Sequence, residues 1–310
     1  MKKSPLIDKY TYPNINKVVD IISKQNPLQG KSIKKYIKNQ DFDYYNFAEN
    51  LCKNLINNVF SHEKELIEAG SFYNKMCMDF LKEQIYFQKT GLYRLNSENI
   101  AKEEVYDQPD IMRYYMVGLL LSYMFWPNHY KILCFLKNHI GSINNINNFL
   151  DIAPGHGLFT VEVFNIFPES NGSLIDISET SINVTKDILS AFKVNLDQLN
   201  FIKNNIFSVS FEQDEFDFIL MGELLEHVEN PLELLIRVRN FLSLKGTIFI
   251  TTCANSPAID HVYHFHSIEE IQSHIIDSGY IINKEQILPL DTGQEQRFST
   301  INYCAILSKK

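Results

Sequence analysis

Leu150-Asp151-Ile152-Ala153-Pro154-Gly155-His156-Gly157 decides how this chain is read. A short apolar run, Asn148 to Ile152, predicts a strand. Gly157 to Phe167 has the pattern of a helix, and two glycines sit in the turn between them. A strand-to-helix turn that lets a ligand touch the backbone needs residues without a Cβ in the way. The helix N-terminus then offers free amides to the ligand's polar end.

Working outward toward the C-terminus, apolar runs and helical stretches alternate. Strands are predicted over 173–176, 200–203, 216–221 and 246–252, with closing strands over 280–288 and 301–307. Helices are predicted over 179–192, 231–242 and 267–278. The helix over 231–242, after the fourth strand, opens on Asn230 and Pro231, a cap followed by proline at the first helical position. Ser267 to Glu270 reads as a capping box. This alternation means an α/β fold, a Rossmann-like, mostly parallel seven-stranded sheet with helices on both faces.

Before Gly141 the pattern changes. Apolar residues recur at helical spacing, as in Ile15, Val18, Val19 and Ile22, and glycine is rare. Breaks are expected at Pro27 to Gly30, at Gly70-Ser71, across 96–110 and at Trp126-Pro127-Asn128. The chain therefore divides into an all-α, substrate-facing cap domain, residues 1–140, and a catalytic α/β domain, residues 141–310.

Composition bounds the partners. The 310 residues carry a formal net charge of −8, against the basic surface that nucleic-acid binders need. The five cysteines are odd in number and form no CxxC pair, which fits a reducing, cytoplasmic setting. The first residues lack the apolar core of a signal peptide. The most apolar stretch, 116–135, is interrupted by Pro127, Asn128, His129 and Lys131, so it reads as buried helix and no membrane span is expected. A small-molecule partner fits best, and the sequence carries no signal of an oligomeric state.

Asp176 ends the second predicted strand, 25 residues beyond Asp151, where a carboxylate can accept both hydroxyls of a ribose. A dinucleotide fingerprint would need a third glycine three residues after Gly157, and Thr160 stands there. Asp151 beside the turn would repel a pyrophosphate and can receive a cationic amino acid. A third stretch, Phe216 to Val228, contains Glu223, Glu226 and His227 as E-x-x-E-H. On a helix these three share a face and could hold a divalent cation.

Together, 150–157, Ile175-Asp176-Ile177-Ser178 and 216–228 resemble the class I S-adenosylmethionine-dependent methyltransferase family over residues 145–253. The resemblance implies S-adenosylmethionine as cofactor, with Asp151, Ala153, Gly155 and Gly157 along its methionine moiety. It places Asp176 on the ribose, Ile177 against adenine, Asn205 and Ile206 near the adenine amino group, and Met221 facing the sulfonium. Ala153 and Asn205 stand where the family usually has glycine and aspartate. The E-x-x-E-H resembles the metal-assisted branch of the family, which implies a metal set of Glu223, Glu226, His227 and His261. A metal would lower the pKa of a substrate hydroxyl.

Without a metal, His261 or His264, after the fifth strand, is expected to act as general base. The aromatic stretch 114–130 offers Tyr115, Trp126, His129 and Tyr130 as substrate contacts, and 255–261 the opposite wall. The expected activity is methyl transfer to an O or N atom of a small molecule such as a specialised metabolite. The alternatives are methylation of RNA or protein, a nicotinamide-dependent oxidoreductase, and a non-catalytic nucleoside-binding protein.

Overall fold

A computed structural model describes residues 11–310 except 213, 292 and 294. Most of the amino-terminal stretch considered for a signal peptide, residues 1–10, lies outside the described residues.

The helical half comprises α1 (Pro13–Gln25), α2 (Pro27–Ile37), α3 (Phe42–Asn58), α4 (Glu63–Thr90), α5 (Glu98–Ala101) with a π turn at Lys102–Tyr106, α6 (Pro109–Phe125) and α7 (Pro127–Ile140). Prolines open α1, α2, α6 and α7, where their missing N–H costs no helical hydrogen bond. Asn26 and Asp41 cap α2 and α3 by accepting from the amides of Gln29 and Tyr44. Pro127 also divides the apolar stretch into two helices, and among the described residues no helix is long and apolar enough to cross a membrane.

The break expected at Gly70 does not occur, because α4 runs through it for 28 residues. A Cβ at Gly70 would lie 2.8 Å from Ile21 Cγ2, so the glycine lets α4 pack closely against α1 rather than ending the helix.

The α/β half follows as β1 (Asn148–Ile152), α8 (Leu158–Ile166), β2 (Asn171–Asp176), α9 (Glu179–Ala191), β3 (Leu199–Lys203), β4 (Phe216–Gly222), α10 (Pro231–Arg239), β5 (Leu242–Ala254), α11 (Ile268–Asp277), β6 (Tyr280–Pro289) and β7 (Ile301–Lys309). The seven strands lie in the order β3-β2-β1-β4-β5-β7-β6. Strands β1 to β5 pair in parallel, while β7 is antiparallel to both neighbours. The fold is the expected Rossmann-like sheet preceded by helices.

Helix α10 stops three residues short of its expected end at Leu242. Leu242 instead begins β5, opposite Phe216, and the register shifts before Thr247 pairs with Phe218. Gly246 sits in that irregularity, where a Cβ would be 2.9 Å from the Asp217 carbonyl.

Two apolar clusters cover the two sheet faces. One packs α10 and α11 against Ile219, Ile250 and Leu307. The other is continuous from Tyr44, Met76 and Leu120 of the helical half to Phe149, Phe218 and Ile306 of the sheet. Residue 140 thus ends the helical half without being a boundary between separate cores.

Candidate functional site

Strand order reverses between β1 and β4, with Asp151 of β1 opposite Leu174 of β2 on one side and Leu220 of β4 on the other, so the carboxy ends of β1 and β4 open a crevice where α/β sheets bind ligands. A cavity of about 980 Å³ lies there, roofed by α2, α4, α6 and α7. That is the upper end of the range for small-molecule sites, about 300–1,000 Å³.

The turn after β1 is built from left-handed backbone. Ala153, Gly155 and Gly157 have φ of 56°, 57° and 72°, a region that costs a residue with a Cβ about 1–2 kcal/mol. Thr185 Oγ1 fixes the turn by donating to the Gly155 carbonyl at 2.7 Å. Ala153 and Gly155 line the cavity. Gly157 does not; it caps α8, and a Cβ there would lie 3.0 Å from Thr185 Cγ2. Its absent side chain serves packing against α9 instead of ligand contact.

Asp151 lines the cavity and accepts from Thr160 Oγ1 at 2.5 Å. Burial pushes its carboxyl up to about 7, with Asp176 adding to the rise against the Thr160 hydrogen bond. Asp176, at the end of β2, accepts from the Ser178 amide at 2.8 Å and from Ser181 Oγ at 2.6 Å. Burial raises its carboxyl as well, opposed by those hydrogen bonds. Each oxygen keeps a lone pair beyond these contacts, which suits a diol partner. Ile177, Asn205 and Ile206 also line the cavity, and the Asn205 side-chain oxygen accepts from the Phe207 amide at 2.8 Å.

Met221 is a correction. It is fully buried in the second core cluster, and the next residue, Gly222, reaches the cavity in its place. Side chains alternate along a strand, so a one-residue difference reverses the face.

The E-x-x-E-H is also not a helical face. Glu223 has φ 48°, and only Leu225–His227 forms a single 3₁₀ turn. Glu223 accepts from Thr251 Oγ1 at 2.6 Å and lines the cavity. Glu226 lies behind it, accepting from Thr252 Oγ1 at 2.7 Å. Burial, then the neighbouring Glu223, raise the Glu226 carboxyl well above the usual range.

His227 Nδ1 meets Tyr106 Oη at 2.9 Å, and its ring stands 4.7 Å from that of His261. Ligand atoms of Glu226, His227 and His261 come within 4.8 Å of one another, and those of Glu223, Glu226 and Cys253 form a second such group. The expected four-residue set therefore splits in two. Three of the four expected ligands, Glu226, His227 and His261, thus come together, while Glu223 falls in the other group with Cys253. Both histidines use Nδ1 in hydrogen bonds to the protein, and no chemical step below runs through a metal.

Of the two expected bases, His261 lines the cavity and is 5% exposed. Its Nδ1 is 2.7 Å from the Ser256 carbonyl, which fixes the proton on Nδ1 and the lone pair on Nε2. Burial, then His227, hold its pKa well below 6.5. His264 is outside the cavity. Its Nε2 meets Asn255 Oδ1 at 2.8 Å, and its ring stacks on Tyr93 at 4.7 Å.

Tyr115, Trp126 and His129 line the cavity, whereas Tyr130 packs 5.0 Å from Tyr44 and 5.6 Å from Phe47 in the helical core. One turn of α7 separates Trp126 from Tyr130, but the neighbouring α3 covers the later position. His156 also lines the cavity; its Nδ1 accepts from the Leu158 amide at 3.1 Å.

Asp260 was expected only as part of the 255–261 wall, and Tyr106 was missed. Asp260 accepts from Tyr115 Oη at 3.1 Å and lies 3.5 Å from His227 Nδ1. Tyr106 closes the same cluster from the π turn, with its carbonyl accepting from Ser178 Oγ at 3.1 Å. Nothing local in the sequence links these residues, because their partners lie far away in the chain.

A family model described as a methyltransferase domain matches residues 143–296. A curated relative, malonyl-[acyl-carrier protein] O-methyltransferase 2 of Ilyobacter polytropus, is 26% identical over 152 residues, 45% of this chain. The chain spans 57% of that relative's length. The solved structure of the mitomycin 7-O-methyltransferase MmcR aligns with a TM-score of 0.52 at 11% identity, over 75% of this chain and 68% of its own. A candidate O-methyltransferase of Nostoc punctiforme aligns at 0.50 and 17% identity, over 77% and 72%. These two structural likenesses establish a shared fold.

Proposed function

We propose that this chain, a class I S-adenosylmethionine-dependent methyltransferase, methylates a hydroxyl oxygen of a small molecule, with His261 taking the proton. When bound, S-adenosylmethionine supplies an electrophilic methyl group on a sulfonium. The residues in the crevice suit it. Gly155 leaves backbone uncovered, Asp176 would hold the ribose diol, Asp151 the cationic amino-acid end, and Ile177, Asn205 and Ile206 the base.

The observation that carries the choice of acceptor is the His261–Ser256 hydrogen bond. It orients a neutral imidazole in the cavity with Nε2 free to accept a proton. A hydroxyl must lose a proton on methylation; burial keeps the imidazole neutral but weakly basic, so Nε2 takes the proton as the oxygen gains the methyl group and becomes strongly acidic. His227 and Asp260, tied to Tyr106 and Tyr115, position the loop that carries His261. The remaining requirement is alignment of nucleophile and methyl, which rigid walls supply.

The name of the Ilyobacter relative supports transfer to oxygen. Its acceptor, a malonyl group on a carrier protein, fits less well here. A carboxylate calls for a basic partner, no arginine is among the described residues lining the cavity, and of its two lysines Lys203 pairs in the sheet with Asp176 on the ribose side while Lys102 is held by Asp107. The net charge of −8 favours a small molecule over RNA. A cytoplasmic setting is supported by five cysteines that are all free.

His261→Ala tests this reading. Turnover on hydroxylated aromatic acceptors should fall about 100-fold or more, while S-adenosylhomocysteine affinity measured by calorimetry stays within twofold. Undiminished turnover in the variant would overturn the assignment of the base, and no turnover in the unaltered chain would favour a non-catalytic binder.

A further inference from the structure

Beyond the cofactor residues, the cavity continues between α2, α4 and the α6–α7 junction. This outer part is lined by Phe80, Leu81 and Gln84 of α4 and by Leu119, Trp126 and Pro127. Among the described lining residues, none from α2, α4, α6 or α7 is an aspartate, glutamate, lysine or arginine. His129 is there too, but burial lowers its pKa to about 4, so it is neutral at pH 7.

The polar atoms of the aromatic wall are engaged with the protein. Trp126 Nε1 donates to Tyr73 Oη at 3.1 Å, Tyr115 Oη donates to Asp260, and His129 Nδ1 meets Ser122 Oγ at 2.6 Å. What remains toward the cavity is ring surface. Phe80 is near-parallel to Tyr115 (17°, 6.1 Å) and edge-on to Trp126 (80°, 5.1 Å). Such an arrangement favours another ring packing beside them.

Gln84 is the exception. Four buried side-chain polar atoms among the described residues have no hydrogen-bond partner, and Gln84 Nε2 is the one that belongs to a cavity-lining residue. A buried donor without a partner is costly and rare. Gln84 follows Phe80 by four residues on α4, so the two side chains are neighbours on one helical face. Its terminal torsion is soft, so the amide can turn its NH₂ toward the cavity.

Resting on the hydroxyl-methylation reading above, we infer that the acceptor is a neutral, ring-bearing hydroxyl compound that packs against Phe80 and Trp126 and is read by Gln84 through a hydrogen-bond-accepting oxygen. Its methylated hydroxyl lies at the His261 end and its neutral oxygen at the Gln84 end. An anionic group packed against these helices would meet no lysine or arginine from them.

Trp126 is the chain's single tryptophan, so its emission reports on this wall alone. Three probes test the inference on the full chain without cofactor: 4-hydroxybenzophenone, 4-benzylphenol, which lacks the carbonyl, and 4′-hydroxybiphenyl-4-carboxylate. The ketone should bind by calorimetry and change Trp126 emission, about tenfold tighter than either of the other two. Gln84→Leu and Gln84→Glu should each bring the ketone down to the affinity of 4-benzylphenol, leave 4-benzylphenol unchanged, and keep S-adenosylhomocysteine affinity, which shows that the variants are folded.

The inference is overturned if the carboxylate binds as tightly as the ketone, if the ketone preference survives both substitutions, or if the ketone does not bind or leaves Trp126 emission unchanged. Selective binding of the ketone without its methylation would count against the hydroxyl-methylation reading and leave this one standing.

Discussion

The two halves of the cavity are made by different means. At the strand ends, contacts are short in sequence: Asp151 with Thr160, Asp176 with Ser178 and Ser181, and a turn held by left-handed residues. Across the cavity, the wall is assembled from residues far apart. Tyr115 reaches Asp260, Tyr106 reaches His227, and Trp126 reaches Tyr73. The first half is a local device that a linear pattern can specify. The second exists only when the helices dock on the sheet, and the shared core from Tyr44 to Ile306 is what docks them.

The contrast is most easily broken at Asp176. Asp176→Ala should weaken S-adenosylhomocysteine binding about 100-fold by calorimetry, the loss of a carboxylate hydrogen-bonded to a diol. It should leave binding of 4-benzylphenol to the helical wall unchanged. If both affinities fall together, the halves are not independent.

The turn itself sharpens the comparison. Gly157→Ala and Gly155→Ala both force a side chain into left-handed backbone, and each should lose about 1–2 kcal/mol of stability in denaturant titrations. Gly157 faces Thr185, whereas Gly155 lines the cavity. Only Gly155→Ala should also weaken cofactor binding, and equal affinity losses would show that Gly157 touches the ligand after all.

The smallest effect concerns the acidic cluster between the halves. Its carboxylates and imidazoles have protein partners already. Exhaustive chelation should therefore leave turnover within about twofold of the untreated enzyme, since no general base would have to be replaced. A larger loss, restored by adding a divalent cation, would reinstate the metal set expected from the E-x-x-E-H.

Read from the residues, the strand-end half was largely legible. The turn at 151–157, the carboxylate at 176 and the order of strands and helices follow from apolar spacing, glycine placement and resemblance to a known family. The errors there were of one residue or one turn. Met221 yields to Gly222 because a strand alternates faces, and α10 ends early because Leu242 is needed opposite Phe216. In the helical half the pattern named helices but not their faces. Tyr130 looked equivalent to Trp126 until α3 was seen to cover it, and Gly70 looked like a break until α1 was found against it.

The sequence by itself determined the α/β alternation and the crevice turn, because these depend on residues within a few positions of one another, and its resemblance to a known family implied the cofactor. Only the tertiary structure decided that Glu226 lies behind Glu223, that His261 and not His264 enters the cavity, and that Phe80 and Gln84 join the site. The physical reason is that these placements depend on which helix faces meet which loops, and hydrophobic docking over long chain separations leaves no periodic trace in the residues it brings together.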